Sequence, residues 1–201
     1  MLIVLLFALM FQPEQTDRNQ TTPSSDETIL ISFNEESPSY WSVVNDGVMG
    51  GLSSSRIRPS DNGHAVFEGS VSLENNGGFA SVRTRASGPV DLSDFRGVSL
   101  RAKGDGKLYS LRIKTLENGR ITSYAFEATF SSGTDWDSHQ LSFEDFKPVF
   151  RGRSLSNVPP LNTSAIVEIG IMIKDGQEGS FSLELDYLSA FKGDEELKTS
   201  R

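Results

Sequence analysis

Residues 166–191 read IVEIGIMIKDGQEGSFSLELDYLSAF, and the alternation inside that stretch decides the fold. Val167, Ile169, Ile171 and Ile173 fall on one face, Asp175 to Gly179 supply turn chemistry, and Phe181, Leu183, Leu185 and Tyr187 resume on one face. Apolar residues at every second position suit a half-buried strand and do not fit the 3.6-residue period of a helix. The stretch is therefore either a β-hairpin or a pair of strands joined by a tight loop.

The same period recurs upstream. Val98, Leu100 and Ala102 oppose Ser99, Arg101 and Lys103, and Tyr109, Leu111 and Ile113 oppose Ser110, Arg112 and Lys114. Further strands are predicted at Ile29–Phe33, Tyr40–Val44, Ser54–Arg58, Ala65–Val71, Ala80–Thr84, Tyr124–Phe130 and His139–Phe143. Short strands with glycine-rich turns and no helix between them predict an all-β fold, an antiparallel jelly-roll β-sandwich. One or two short helical turns are allowed for, at DLSDF (91–95) and FEDFKPVF (143–150). Phe67, Phe126, Phe130, Phe143 and Phe181 are assigned to the core between the sheets, where large apolar rings bury most area.

The 201 residues suffice for one domain, and a formal charge of −8 gives no basic footprint for nucleic acid. There is no cysteine, which removes disulfides, thiolate nucleophiles and sulfur-ligated zinc. The opening block MLIVLLFALMF is too short to span a bilayer, which takes about 20 apolar residues, and it suits a signal-peptide core better. No Arg-rich amphipathic presequence for mitochondrial import is seen. The division that follows is a signal peptide at 1–14, a disordered polar linker at 15–27, the sandwich at 28–192 and a disordered tail at 193–201. It implies an exported protein, periplasmic or extracellular, or a cytoplasmic one if the opening block is not a signal.

Catalytic and metal motifs are missing. His64 and His139 are the only histidines and form no H-x-x-x-H pair, and no nucleophile elbow, Walker loop or dinucleotide fingerprint occurs. His139 shares a strand face with Leu141 and Phe143 and is read as a hydrogen-bonded residue at the core margin. Asp135 with Asp137 and Glu144 with Asp145 have the look of solvated turn residues. No catalytic residue, metal or cofactor is assigned.

Chemistry concentrates instead in the loops. NDGVMGGLS (45–53), LENNGGFASV (73–82), AKGDGKLY (102–109) and FRGR (150–153) combine glycine pairs with amides, a methionine, an aromatic or two arginines. Taken in order, W..VNDGVMGGLS, F.G.VSLENNGGFASVR, F.G..L..KGDG..Y, W....L.F.DF.P.FRGR and a terminal G.F.LE.D resemble the complex I intermediate-associated protein family, from Trp41 to Phe191.

The resemblance implies a galactose-binding-like jelly-roll sandwich, related in architecture to carbohydrate-binding modules, without catalytic residues and acting in protein assembly or as a chaperone. The alternative is a carbohydrate-binding module of an exported protein, so the partner is a protein or a glycan. A glycan would need an exposed aromatic platform, for which Tyr40, Trp41, Tyr109 and Tyr124 are the candidates. A protein partner would need an apolar patch such as Val48, Met49 and Phe79 between polar loops. A structural calcium held by loop carboxylates and carbonyls is a third option.

The candidate binding residues are Asn45, Asp46, Met49, Gly50, Gly51, Asn75, Asn76, Gly77, Gly78, Phe79, Asp105, Arg151 and Arg153. The glycines permit positive φ and close backbone approach, and the amides donate and accept. Arg151 and Arg153 either face a ligand together or pair with Asp46, Asp94 or Asp105. Two glycine pairs of one texture predict that the loops holding them meet at one end of the sandwich. If their polar side chains serve only each other, the loops form a clasp, and binding shifts to the strand face carrying Arg101, Lys103, Arg112 and Lys114.

Overall fold

The computed structural model describes residues 26–34 and 36–193. The expected segment 1–14, most of 15–27 and all but the first residue of 193–201 lie outside those residues. Among the described residues there are fourteen strands: β1 Glu27–Ser32, β2 Ser42–Val43, β3 Ser54–Pro59, β4 Ala65–Val71, β5 Ala80–Val90, β6 Gly97–Lys103 and β7 Leu108–Glu117 come first. They are followed by β8 Arg120–Ile121, β9 Ala125–Ser131, β10 Asp137–Ser142, β11 Lys147–Phe150, β12 Arg153–Ser154, β13 Ile166–Ile173 and β14 Gly179–Phe191.

They form two antiparallel sheets face to face, as the alternation requires. One has six strands in the order β10-β6-β14-β4-β3, with β1 also paired to β14, and the other is ordered β12-β11-β9-β7-β13-β5-β2, with β8 attached to β7. The stretch 166–191 resolves in favour of two strands joined by a loop: β13 lies between β5 and β7, whereas β14 lies between β4 and β6 in the opposite sheet. The chain thus crosses from one layer to the other at Asp175 and Gly176, both with positive φ.

The core sits between the layers. Phe67, Leu100, Tyr109, Leu111, Ile113, Ile171, Ile173, Leu183 and Leu185 are all at most 1 % exposed, and full burial of such side chains stabilises by about 1.5–3 kcal/mol each. Phe67 meets Phe181 edge-on at 4.9 Å, and Tyr109 stacks on Phe130 at 6.0 Å. Phe143 is only partly buried and packs on the margin of this cluster.

Two bulges correct the strict alternation. The register slips between Ile166 and Glu168 in β13 and between Leu185 and Tyr187 in β14. Ile166 and Leu188 consequently take the core positions, and Val167 and Tyr187 are buried outside the main cluster. Among the described residues five 3-10 turns occur, at Ser37–Tyr40, Asp46–Met49, Glu74–Asn76, Phe143–Asp145 and Thr163–Ala165. The first replaces the start of the strand expected at Tyr40–Val44. At 91–95 the chain makes a single hydrogen-bonded turn without a helix, the Phe95 N–H donating to the Leu92 carbonyl at 3.0 Å, and the Asp91 carboxylate accepts the Ser93 N–H and hydroxyl. At 143–150 only the first three residues are helical, and Lys147–Phe150 is a strand.

His139 is half-buried against Phe130, with ring centroids 4.9 Å apart, but its Nε2 has no hydrogen-bond partner. Desolvation lowers its pKa, so the expected hydrogen-bonded histidine is an apolar-packed one.

Candidate functional site

The loops after β2 and β4 meet, and the residue that joins them is Asp46. Its side chain is fully buried. The carboxylate accepts the Ser53 N–H at 2.9 Å, the Ser53 hydroxyl at 2.5 Å, the Gly78 N–H at 2.7 Å and the Phe79 N–H at 3.3 Å. Burial opposes its ionisation, but the Ser53 hydroxyl and the three backbone donors outweigh burial and hold the carboxyl below the ordinary range. Asn45 acts beside it: Oδ1 accepts the Ser55 hydroxyl at 2.7 Å and the Ser81 N–H at 3.3 Å.

Each glycine pair divides its work in the same way. Gly50 and Gly78 have φ of +93° and +131°, which side chains strain to adopt. Gly51 and Gly77 provide clearance: a Cβ would stand 2.4 Å from Asp46 Cγ at the former and 2.6 Å from Asp46 Oδ2 at the latter. One glycine of each pair turns the chain, and the other makes room for the carboxylate. Asn75 and Asn76 contribute backbone, with φ of 55° and 58°, while their side chains are exposed.

The loops therefore do meet at one end of the sandwich, and the polar side chains of Asn45 and Asp46 are spent on holding them together. The arrangement is a clasp. Its completing residues, Ser53, Ser55, Ser72 and Ser81, were not singled out from sequence; Ser53 Oγ also accepts the Ser72 N–H at 3.0 Å. The only signal available for them is that a buried aspartate must collect donors.

Beside the exposed Glu74, Asn75 and Asn76, the clasp leaves several apolar side chains to solvent. Val48, Met49, Leu52 and Leu73 are 75 %, 59 %, 56 % and 43 % exposed, and Phe79 is half-buried. Four large apolar side chains thus stand exposed around one loop pair.

The remaining candidates do not join it. Asp105 lies at the same end but is bonded into its own turn, accepting the Tyr109 hydroxyl at 2.9 Å and the Ser182 N–H at 3.0 Å. Arg151 and Arg153 flank the β11–β12 turn at the other end of the sheet. Arg151 lies 5.3 Å from the Phe150 ring, and neither arginine pairs with Asp46, Asp94 or Asp105 among the described residues. The strand face expected to carry Arg101, Lys103, Arg112 and Lys114 is two faces: the first two residues stand on β6 of one sheet and the last two on β7 of the other. Of the four aromatics proposed as a glycan platform, Trp41 and Tyr109 are buried, Tyr124 is half-buried, and Tyr40 alone is exposed, at 70 %.

Comparison with known proteins fits this architecture. The model of the complex I intermediate-associated protein 30 family matches residues 31–185. An uncharacterised protein of Schizosaccharomyces pombe is 30 % identical over 185 residues, covering 81 % of this chain and 84 % of that protein. The mouse complex I intermediate-associated protein 30, mitochondrial, is 25 % identical over 182 residues, which is 81 % of this chain and 56 % of the mouse protein. The Drosophila melanogaster protein of the same name is 23 % identical over 203 residues, 90 % of this chain and 64 % of the fly protein. The chain thus spans a little over half the length of these mitochondrial relatives.

Among solved structures, the family 11 carbohydrate-binding module from Clostridium thermocellum, in complex with a β-1,3-1,4-mixed-linked tetrasaccharide, superimposes with a TM-score of 0.62. It is 17 % identical and is covered over 83 % of this chain and 96 % of the module, a likeness of fold. The mouse and fly names correct the expected location, because relatives named mitochondrial do not accord with an exported or cytoplasmic protein.

Proposed function

The chain belongs to the complex I intermediate-associated protein 30 family, and from that premise we propose that it is a non-catalytic, protein-binding assembly factor of the respiratory chain that engages its partner through the clasp. The observation carrying this reading is the exposed apolar run Val48, Met49 and Leu52 on a loop fixed by a buried carboxylate. A rigid apolar surface binds a protein with little ordering cost, since the loops are already held in place. The relatives' names support a mitochondrial setting and a partner among complex I subunits or intermediates.

The glycan alternative finds less support, because the exposed aromatic residues do not gather into a platform. The test is affinity capture from respiratory membranes of the native host, with the wild-type chain beside Val48→Ser/Met49→Ser/Leu52→Ser. The wild type is expected to retain complex I subunits, and the triple variant to lose them while melting at a similar temperature. Identical captures by both chains would refute the role of the clasp.

A further inference from the structure

The outer face of the eight-stranded sheet carries rows of side chains that cross its strands. Arg85, Glu168 and Lys114 form one row on β5, β13 and β7. Arg83, Gly170, Arg112 and Glu127 form the next, on β5, β13, β7 and β9. In the row beyond, Ser81, Met172 and Ser110 are 8 %, 7 % and 2 % exposed although they point away from the core, so the face is recessed.

Charge on this face runs against that of the whole chain. Arg83, Arg85, Arg112, Lys114 and the adjoining Lys174 meet three carboxylates, Glu127, Glu168 and Asp175, in a protein of formal charge −8. Glu168 holds Arg85 at 2.7 Å, and Glu127 holds Lys174 at 2.7 Å through Oε1, while Glu127 Oε2 has no hydrogen-bond partner and faces Arg112 as a loose ion pair. Arg83 comes no nearer to Glu168 than 3.9 Å, and Arg112 Nε no nearer to Glu127 than 3.5 Å. The buried Arg112 Nε has no hydrogen-bond acceptor, and Nη1 reaches only the Met172 sulfur at 3.3 Å. Lys114 forms no ion pair among the described residues, and desolvation lowers the pKa of both Arg112 and Lys114. The other face is better matched, with Arg101 paired to Asp186 and Lys103 to Glu184.

Gly170, itself buried, puts no side chain between the two arginines. A Cβ there would stand 3.1 Å from the Val82 carbonyl oxygen, 3.6 Å from the Cβ of Arg83 and 3.9 Å from that of Arg112, so it would crowd the β5 backbone as well as the arginine stems. A desolvated guanidinium without a close acceptor, Arg112, beside a half-exposed one, Arg83, is matched by a carboxylate, which can accept paired hydrogen bonds from a guanidinium fork.

We propose that this recessed face binds an acidic polypeptide segment of a partner protein, with one carboxylate over Gly170 between Arg83 and Arg112 and a second beside Lys114. The spacing favours a polypeptide. Arg112 and Lys114 are alternate residues of one strand, about 6.6–6.8 Å apart, which is the repeat of alternate side chains along an extended peptide. A sugar acid would gain from a stacking ring, but Tyr109, Phe126 and Phe130 of these strands all point into the core.

The test is fluorescence anisotropy of a labelled peptide of alternating Glu and Ser, titrated with the full chain at low and high salt. Arg83→Gln/Lys114→Gln is expected to weaken binding about tenfold or more, and Arg56→Gln/Lys103→Gln, which removes equal charge from the other sheet, by less than about twofold. Gly170→Ala keeps every charge and sets a methyl between the two arginine stems, 3.1 Å from the Val82 carbonyl oxygen, and it is expected to weaken binding as well; circular dichroism and the melting temperature confirm that each variant is folded. Equal losses in the two charge variants, no binding of the peptide, or displacement by polygalacturonate or pyrophosphate at matched charge would each overturn the proposal. The peptide assay involves no clasp residue, so its failure is distinct from failure of the clasp reading.

Discussion

The Asp46 carboxylate accepts the Gly78 N–H at 2.7 Å across 32 positions of sequence, and this contact fastens the loop after β2 to the loop after β4. Asp46→Asn should cost about 2–3 kcal/mol, because one amide nitrogen would then face backbone donors with nothing to accept them. The sign of the pH dependence follows from the depressed pKa. Stability from Asp46 is present above its ordinary value of 3.8 and is lost as pH falls through the lower folded value. The gap between wild-type and variant urea midpoints should therefore be constant at neutral pH and narrow below about 3.8. A gap that holds steady into strong acid would show that the carboxylate is not the source.

The glycines of the clasp offer a sharper comparison, since they are replaced one methyl at a time. Gly51→Ala and Gly77→Ala push a Cβ into the Asp46 side chain and should each cost about 1–3 kcal/mol. Gly47→Ala meets nothing within 4 Å and has no positive φ, so it should change stability by less than about 0.5 kcal/mol. Thermal melts of the three variants check the order.

The sequence shows the alternation at 98–103 and 109–114 because antiparallel strands with one wetted face leave a period of two. It does not show the bulges at Val167 and Asp186, since an inserted residue has no hydrophobic signature of its own, and so Val167 and Tyr187 were given core positions that Ile166 and Leu188 occupy. Nor does alternation reveal that β13 and β14 belong to different sheets, which depends on the path of the loop at Asp175. The two glycine pairs were legible as places of backbone freedom. Their division into one turning and one clearing glycine was not, because the clearance is set by a carboxylate from another loop. FRGR has the same texture as the clasp loops yet lies at the far end, where strand order puts it.

At the alkaline limit the Tyr124 hydroxyl contributes beside that of Tyr109, whose pKa burial and Asp105 raise further. Tyr124 donates to Glu117 at 2.5 Å, and burial first, then the Glu117 carboxylate, pushes its pKa up to about 12. A raised folded value means that its contribution is complete below the ordinary value of 10.0 and is lost as pH rises through about 12. Tyr124→Phe should lose about 0.5–1.5 kcal/mol at neutral pH and show a smaller further loss above pH 10 than the wild type. Chemical denaturation across that range checks it, alongside the tyrosinate absorbance of the folded chain.

Arginines on the two outer faces should behave differently under the same substitution, although alternation alone makes them equivalent. Arg56 is 70 % exposed and shares Glu68 with Arg58, so Arg56→Ala should cost less than about 0.5 kcal/mol. The Arg112 side chain is 24 % exposed, its stem covers the recessed sheet, and it stands 3.5 Å from a Glu127 that is itself only 7 % exposed. Removing it uncovers the sheet and leaves Glu127 to Lys174 alone, a loss of about 1–3 kcal/mol. Leu183→Ala, at a fully buried site, sets the upper reference at about 2–5 kcal/mol. The expected order in urea denaturation is therefore Arg56, Arg112, Leu183. A cost for Arg112 equal to that for Arg56 would mean that the recessed face is open to water in solution, and that its unpaired cations are solvated rather than waiting for an acidic partner.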